Sequence, residues 1–273
     1  VVEQVFGQRD GDRGEGDDVA ERLAVYDGLP VKRAAMRIAL SSSAFRRPFA
    51  AGELTQLEWV ERCASALGAD GIVCDVADFP RTDAEYVAQL RKVAVDLGIV
   101  PFGLDAPAFL DPAAEPGARE ATLALASGLG ALVLRTQLPA PDDVPPAAFV
   151  EAAGVAKTAA KAAKGVNVTL LLAARPGTLA EDTAGLHHLI KDVDSAWLRA
   201  CPRAADGREG WGPKERFPAF EATAADDPLA VAAGAARAWV ILDAPFAERP
   251  WDLLGDALAA LRAAAAEHRL IAG

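Results

Sequence analysis

The chain has 273 residues, 52% of them hydrophobic but only 6% aromatic, and a formal net charge of −11. That length suits one α/β barrel of about 250 residues, with a large core built mainly from Ala, Val, Leu and Ile. The acidic balance argues against a nucleic-acid partner, no apolar run reaches the roughly 18 residues of a membrane span, and no signal peptide is read. Three cysteines (Cys63, Cys74 and Cys201), none in a CxxC pair, fit a reducing cytoplasmic setting without disulfides.

In chain order, residues 1–30 differ from the rest. Gln8–Asp18 holds no apolar residue, and the only methionine is Met36, just before the first strand-like run. The expectation is a flexible extension over 1–35 and one barrel domain over 36–273. From Met36 short apolar runs alternate with amphipathic stretches. The runs Arg37–Leu40, Gly71–Asp75, Ile99–Leu104, Ala131–Arg135, Val166–Leu172, Ala196–Ala200, Ala238–Leu242 and Arg269–Ala272 read as buried parallel strands. Between them Leu54, Leu57, Val60, Ala64 and Leu67 share a helical face, as do Val87, Leu90, Ala94 and Leu97, and Leu186, Leu189, Ile190 and Val193. Thr55/Glu58, Thr82/Glu85 and Thr178/Glu181 have capping-box spacing, and Asp227-Pro228 reads as another helix start. Gly68, Gly98, Gly130 and Gly165 fall where helices should stop. Eight units fit a closed (β/α)8 barrel better than an open sheet. Pro202–Ala225, rich in Gly and Pro, breaks the rhythm. It reads as a loop over the C-terminal mouth, either a lid or an irregular connection packed by Trp211 and Phe217.

Three passages carry a likeness to a known family: MRIALSSSAF, then GELTQLEWVERCASALGADGIVCDVADFPRTDAEYVAQLRKVAVDLGI, then GLGALVLRT. They resemble the xylose isomerase-like TIM barrels known as sugar phosphate isomerase/epimerases, from Met36 to about Ser195, with Leu67–Asp83 the most specific piece. The resemblance implies an isomerase or epimerase of carbohydrate metabolism. It also implies one divalent cation, such as Mn or Mg, at the mouth. Its ligands in that family are a glutamate after strand five, an aspartate after strand six, a histidine at strand seven and a glutamate after strand eight. Laid on this chain, those positions fall at Ala173, near Arg203 (with Asp206 three residues on), within Trp239–Ile241 ahead of Asp243, and at Ile271–Gly273. The expectation is therefore that the metal site is absent. Zinc-dependent DNA-repair endonucleases share the fold, but His187, His188 and His268 sit in or beside predicted helices, which argues against that activity.

Strand-end polar residues remain as candidates for the mouth: Ser41, Ser42 and Ser43, then Asp75, Asp78 and Asp105, then Arg135 and Gln137, then Arg175, Arg203 and Asp243. The binding set comprises Ser42, Asp75, Asp105, Arg135, Arg175, Arg203, Trp211 and Asp243. Asp75, Asp105 and Asp243 are able to form a displaced carboxylate site for a cation, although solvated acids and N-caps are commoner. Arg135, Arg175 and Arg203 either converge on an anion such as a sugar phosphate or pair with acids to close the barrel top. Cys201 is a candidate reactive thiol, but a small buried residue is the plainer expectation. Lys157, Lys161 and Lys164 read as a solvated helix face. Three functions stay open: a pseudoenzyme that binds a sugar or sugar phosphate without cofactor, an active metal-dependent isomerase with relocated ligands, and a scaffold acting through the 202–225 loop. A homo-oligomer is compatible with each.

Overall fold

The computed structural model describes residues 36–115, 117–140, 145–204, 218–235, 238–244 and 247–271. Eight parallel strands form one sheet: β1 (Arg37–Ser41), β2 (Gly71–Asp75), β3 (Val100–Asp105), β4 (Val133–Thr136), β5 (Thr169–Ala173), β6 (Leu198–Cys201), β7 (Ala219–Thr223) and β8 (Trp239–Asp243). Their order is β6-β5-β4-β3-β2-β1-β8-β7. A parallel bridge between Arg203 and Glu221, with the Glu221 N–H donating to the Pro202 carbonyl at 3.0 Å, joins β6 to β7 and closes the ring. The described helices are α1 (Arg46–Ala50), α2 (Gln56–Ser65), α3 (Ala84–Asp96), α4 (Ala118–Leu129), α5 (Pro146–Gly165), α6 (Thr183–Val193), α7 (Pro228–Gly234) and α8 (Pro250–Ile271). This is a single (β/α)8 barrel. Among the described residues no helix is long and apolar enough to cross a membrane.

Alternation along each strand sorts its side chains. Ala39, Val73, Phe102, Val133, Leu171, Cys201, Ala219, Trp239 and Ile241 pack together inside the barrel. Their strand neighbours, such as Ile38, Leu40, Leu104, Leu134 and Leu170, join the larger core beneath the helices. Phe102 and Trp239 stack with centroids 4.3 Å apart. Gly71 makes room for that stack, since a Cβ there would lie 2.7 Å from the Trp239 ring. The Ala-rich α5 buries Ala156, Ala159 and Ala163 and leaves Lys157, Lys161 and Lys164 exposed.

Local signals hold where hydrogen bonds serve them. Thr55 and Glu58 form the complete capping box of α2, and Asp227 caps α7 ahead of Pro228. Gly68, Gly98 and Gly130 take positive φ at helix ends. Other expectations are corrected. Asp83, not Thr82, caps α3, and Asp182, not Thr178, caps α6, because each aspartate accepts the N–H three residues on. Thr178 instead bonds back to the Arg175 carbonyl in a turn. Gly165 ends inside α5, and Asn167 takes the left-handed conformation.

The largest correction concerns the last quarter of the chain. Arg269–Ala272 is not the eighth strand, since its described residues finish α8; the run expected as strand seven is β8. The true β7, Ala219–Thr223, lies inside the stretch expected to be loop. It carries one large apolar side chain, Phe220, facing the helices, while Ala219 and Glu221 face the interior, so no apolar run marks it. The expected extension over 1–35, Asp206 and Trp211 lie outside the described residues.

Candidate functional site

Parallel pairing places Asp75 opposite Asp105, and Asp105 opposite Arg135. Asp243 ends β8 and Glu221 sits within β7. These ends define the C-terminal mouth, where barrel chemistry is sited because the βα loops converge there. The mouth holds a cavity of about 390 Å³, into which Ser43, Arg46, Arg175 and Arg203 also reach.

Arg135 is its centre. The guanidinium grips Asp105 with two hydrogen bonds, one of 2.5 Å from Nε to Oδ1. It donates from a terminal nitrogen to Glu221 Oε2 at 3.0 Å and lies 3.6 Å from Asp243 Oδ2. Arg135 is 5% exposed and its three acids 4–6%. Such a group tolerates burial only because each charge faces an opposite one within 3.6 Å. Burial pushes Asp105 up to about 6, partly opposed by Arg135 and reinforced by Asp243 and Asp75. On Arg135 burial works to lower the pKa, but Asp105, Glu221 and Asp243 outweigh it and hold the guanidinium well above its ordinary range. Arg175 adds a second cation to Glu221 at 2.6 Å and bonds the Ala174 carbonyl at 3.0 Å.

A second cluster forms the rim. Arg46, from the short α1, pairs with Asp75 and lies 3.4 Å from Asp78 Oδ1. Ser42 donates to Asp78 Oδ2 at 2.6 Å while accepting the Asp75 N–H at 2.8 Å. Asp78 is raised by burial, against the Ser42 hydrogen bond. Ser43, half-buried, donates to Asp243.

The structure thus gathers Asp75, Asp105, Arg135, Arg175, Arg203 and Asp243 around one cavity. Ser42 sits behind it, against Asp78 and the Asp75 backbone, while Ser43 takes the lining position. Cys201 is buried and its thiol is pushed up to about 12 by that burial, so it does not supply a thiolate. His187 and His188 lie on α6, where His188 pairs with Asp192. Sequence reasoning missed Glu221 and Arg46. For Glu221 a signal existed: the helix start at Asp227-Pro228 requires a strand before it. Arg46 sits in an RRPF segment with no pattern to distinguish it.

The corrected strands also move two projected ligand positions. Strand seven carries Glu221, and strand eight ends in Asp243 rather than at the acid-free C-terminus. β5 ends in Ala173 and β6 in Cys201, with Arg203 two residues on. Among the described residues no group of three or more His, Cys, Asp or Glu is arranged to hold a metal ion.

The sequence matches no protein-family model and no curated protein. Solved structures do match. An L-ribulose 3-epimerase superposes with a TM-score of 0.64 at 18% identity, covering 87% of this chain and 98% of its own. A D-psicose 3-epimerase from Clostridium cellulolyticum H10 gives 0.65 at 13% identity, over 84% and 99%. A probable 3-DHS dehydratase from Bacillus anthracis gives 0.62 at 13% identity, over 83% and 98%. At these identities the likeness shows the fold alone. That fold is the (β/α)8 TIM barrel, as the passages from Met36 to Ser195 implied.

Proposed function

We propose that the mouth binds a carbohydrate without a divalent metal, and that this barrel has lost the isomerase or epimerase chemistry of the proteins it resembles. One observation carries the reading: among the described residues, the side chains lining the cavity balance one another in charge. Arg46, Arg135, Arg175 and Arg203 line it together with Asp75, Asp105, Glu221 and Asp243. Four formal positive charges meet four negative ones.

The donor set does not fit a divalent cation. Hard cations need several free oxygen ligands. Here both oxygens of Asp105 and one oxygen of Glu221 accept from Arg135, and Arg135 also flanks Asp243. Arg175 takes the same Glu221 oxygen. Arginine does not deprotonate at working pH, so these carboxylates are not released by titration of their partner. A neutral polyol fits better, because Ser43, Thr136, Gln137 and Thr223 line the same cavity with hydroxyl and amide groups. The balanced charge favours an uncharged sugar over a sugar phosphate.

The test is a melting-temperature scan with neutral ketoses, aldoses and polyols, then their phosphates, each with EDTA and with Mn²⁺ or Mg²⁺, beside an epimerase assay. A ligand that binds the native state raises the melting temperature. The reading expects a shift from a neutral sugar, unchanged by EDTA, and no turnover. Near-stoichiometric bound metal, or turnover abolished by EDTA, would restore a metal-dependent isomerase in its place.

A further inference from the structure

We propose that Arg135 is a built-in replacement for a divalent cation. On this view the mouth keeps a fixed cation among its acids, with no ion to acquire or lose. The inference rests on the metal-free reading above and names the group that makes it so. Three buried carboxylates from three strands, Asp105 on β3, Glu221 on β7 and Asp243 on β8, face one guanidinium from β4. The contact with Glu221 spans 86 residues of sequence, so barrel closure, not local structure, assembles it.

Carboxylates so arranged have little reason to converge unless something positive lies between them, because each resists losing its hydration. Around a metal, oxygen donors are commonly held in place by hydrogen bonds from behind. Asp243 is fixed through its other oxygen, since Ser43 donates to Oδ1 while Arg135 lies near Oδ2. Arg135 has few N–H groups left for a ligand after serving Asp105 and Glu221. Its role is that of a counter-ion that fixes the acids, not of a substrate clamp.

Removing the guanidinium leaves three buried acids, with Arg175 still paired to Glu221. They must either take up protons or recruit a cation into the space Arg135 filled. Hard divalent ions such as Mn²⁺ suit oxygen donors.

The experiment uses the full chain after EDTA treatment as wild type, Arg135→Ala and Arg135→Gln. Mn²⁺ uptake is read by equilibrium dialysis and by melting temperature. Each variant is expected to bind about one Mn²⁺ and to gain about 5 °C or more at saturation, where wild type gains nothing. Adding Asp105→Asn to Arg135→Ala should abolish that uptake, and millimolar guanidinium should compete with it.

Folded variants that bind no more Mn²⁺ than wild type overturn the proposal. So do variants that stay unfolded when Mn²⁺ is present, because the ion must restore what the guanidinium supplied. Uptake that survives Asp105→Asn places the ion elsewhere and overturns it too. Stoichiometric Mn²⁺ on wild type sinks the metal-free reading itself, whereas null variants beside a null wild type sink this inference alone.

Discussion

Asp75 and Asp105 are register partners on adjacent strands, each ending its strand and each held by an arginine, yet they anchor two different kinds of cluster. Arg46, which holds Asp75, comes from a short helix and its side chain is 54% exposed. Arg135, which holds Asp105, comes from the neighbouring strand and its side chain is 6% exposed. In the rim cluster water reaches the exposed Arg46, although Asp75 and Asp78 are buried, so the pair is worth less than a fully enclosed one. In the central cluster water is excluded, and the loss of one partner strands the others. The comparison teaches that the element supplying the arginine, rather than the arginine–aspartate chemistry, decides how much of the fold depends on the pair.

The hardest blow to this contrast is Arg135→Met. It should cost about 3–5 kcal/mol in urea unfolding, because it leaves uncompensated buried carboxylates. A loss below about 1 kcal/mol would mean that the centre is no more demanding than the rim. Glu221→Gln comes next. It removes the charge that meets both Arg135 and Arg175, and about 2–3 kcal/mol should go, at the upper end for a hydrogen bond to a charged group. Unchanged stability there would count against a shared network.

The third prediction uses pH. Asp105 is raised to about 6 in the fold, while an unfolded aspartate titrates near about 3.9. The native state therefore holds that proton more tightly than the unfolded chain. Its stabilising contribution is complete below about pH 4 and is lost as pH rises through about 6. Measured from pH 4 to 7, the stability of wild type relative to Asp105→Asn should fall and then level off. A flat difference would remove Asp105 as the titrating group. Asp78, raised in the same direction by burial, should leave a shallower slope of the same sign in the variant.

The smallest effect is expected at Arg46→Ala. It should cost about 1–2 kcal/mol, because the buried Asp75 keeps the Ala77 N–H and Asp78 keeps the Ser42 hydroxyl, and the cost should shrink in high salt, which screens the exposed guanidinium. A larger, salt-independent loss would erase the distinction between rim and centre.

Much of the barrel was legible in residue order because its signals are local. A capping box at Thr55/Glu58 spans four residues, and a buried strand such as Thr169–Ala173 announces itself as an apolar run. The same logic failed at β7. Ala219–Thr223 is short, one of its inward positions is the charged Glu221, and its outward face carries only one large apolar side chain. Missing that strand shifted the numbering of the next. It hid the carboxylate on β7 and moved the end of β8 from Asp243 to the C-terminus.

By itself the sequence determined that this is a chain of repeating α/β units, and that Asp75, Asp105, Arg135 and Asp243 stand at or near strand ends, because periodicity and capping depend on neighbours a few residues apart. Only the tertiary structure decided which arginine meets which acid. Arg135 and Glu221 lie 86 residues apart and touch because the ring closes between β6 and β7. Burial at that closure, which no local pattern encodes, separates a buried cation centre from a rim pair whose arginine stays exposed.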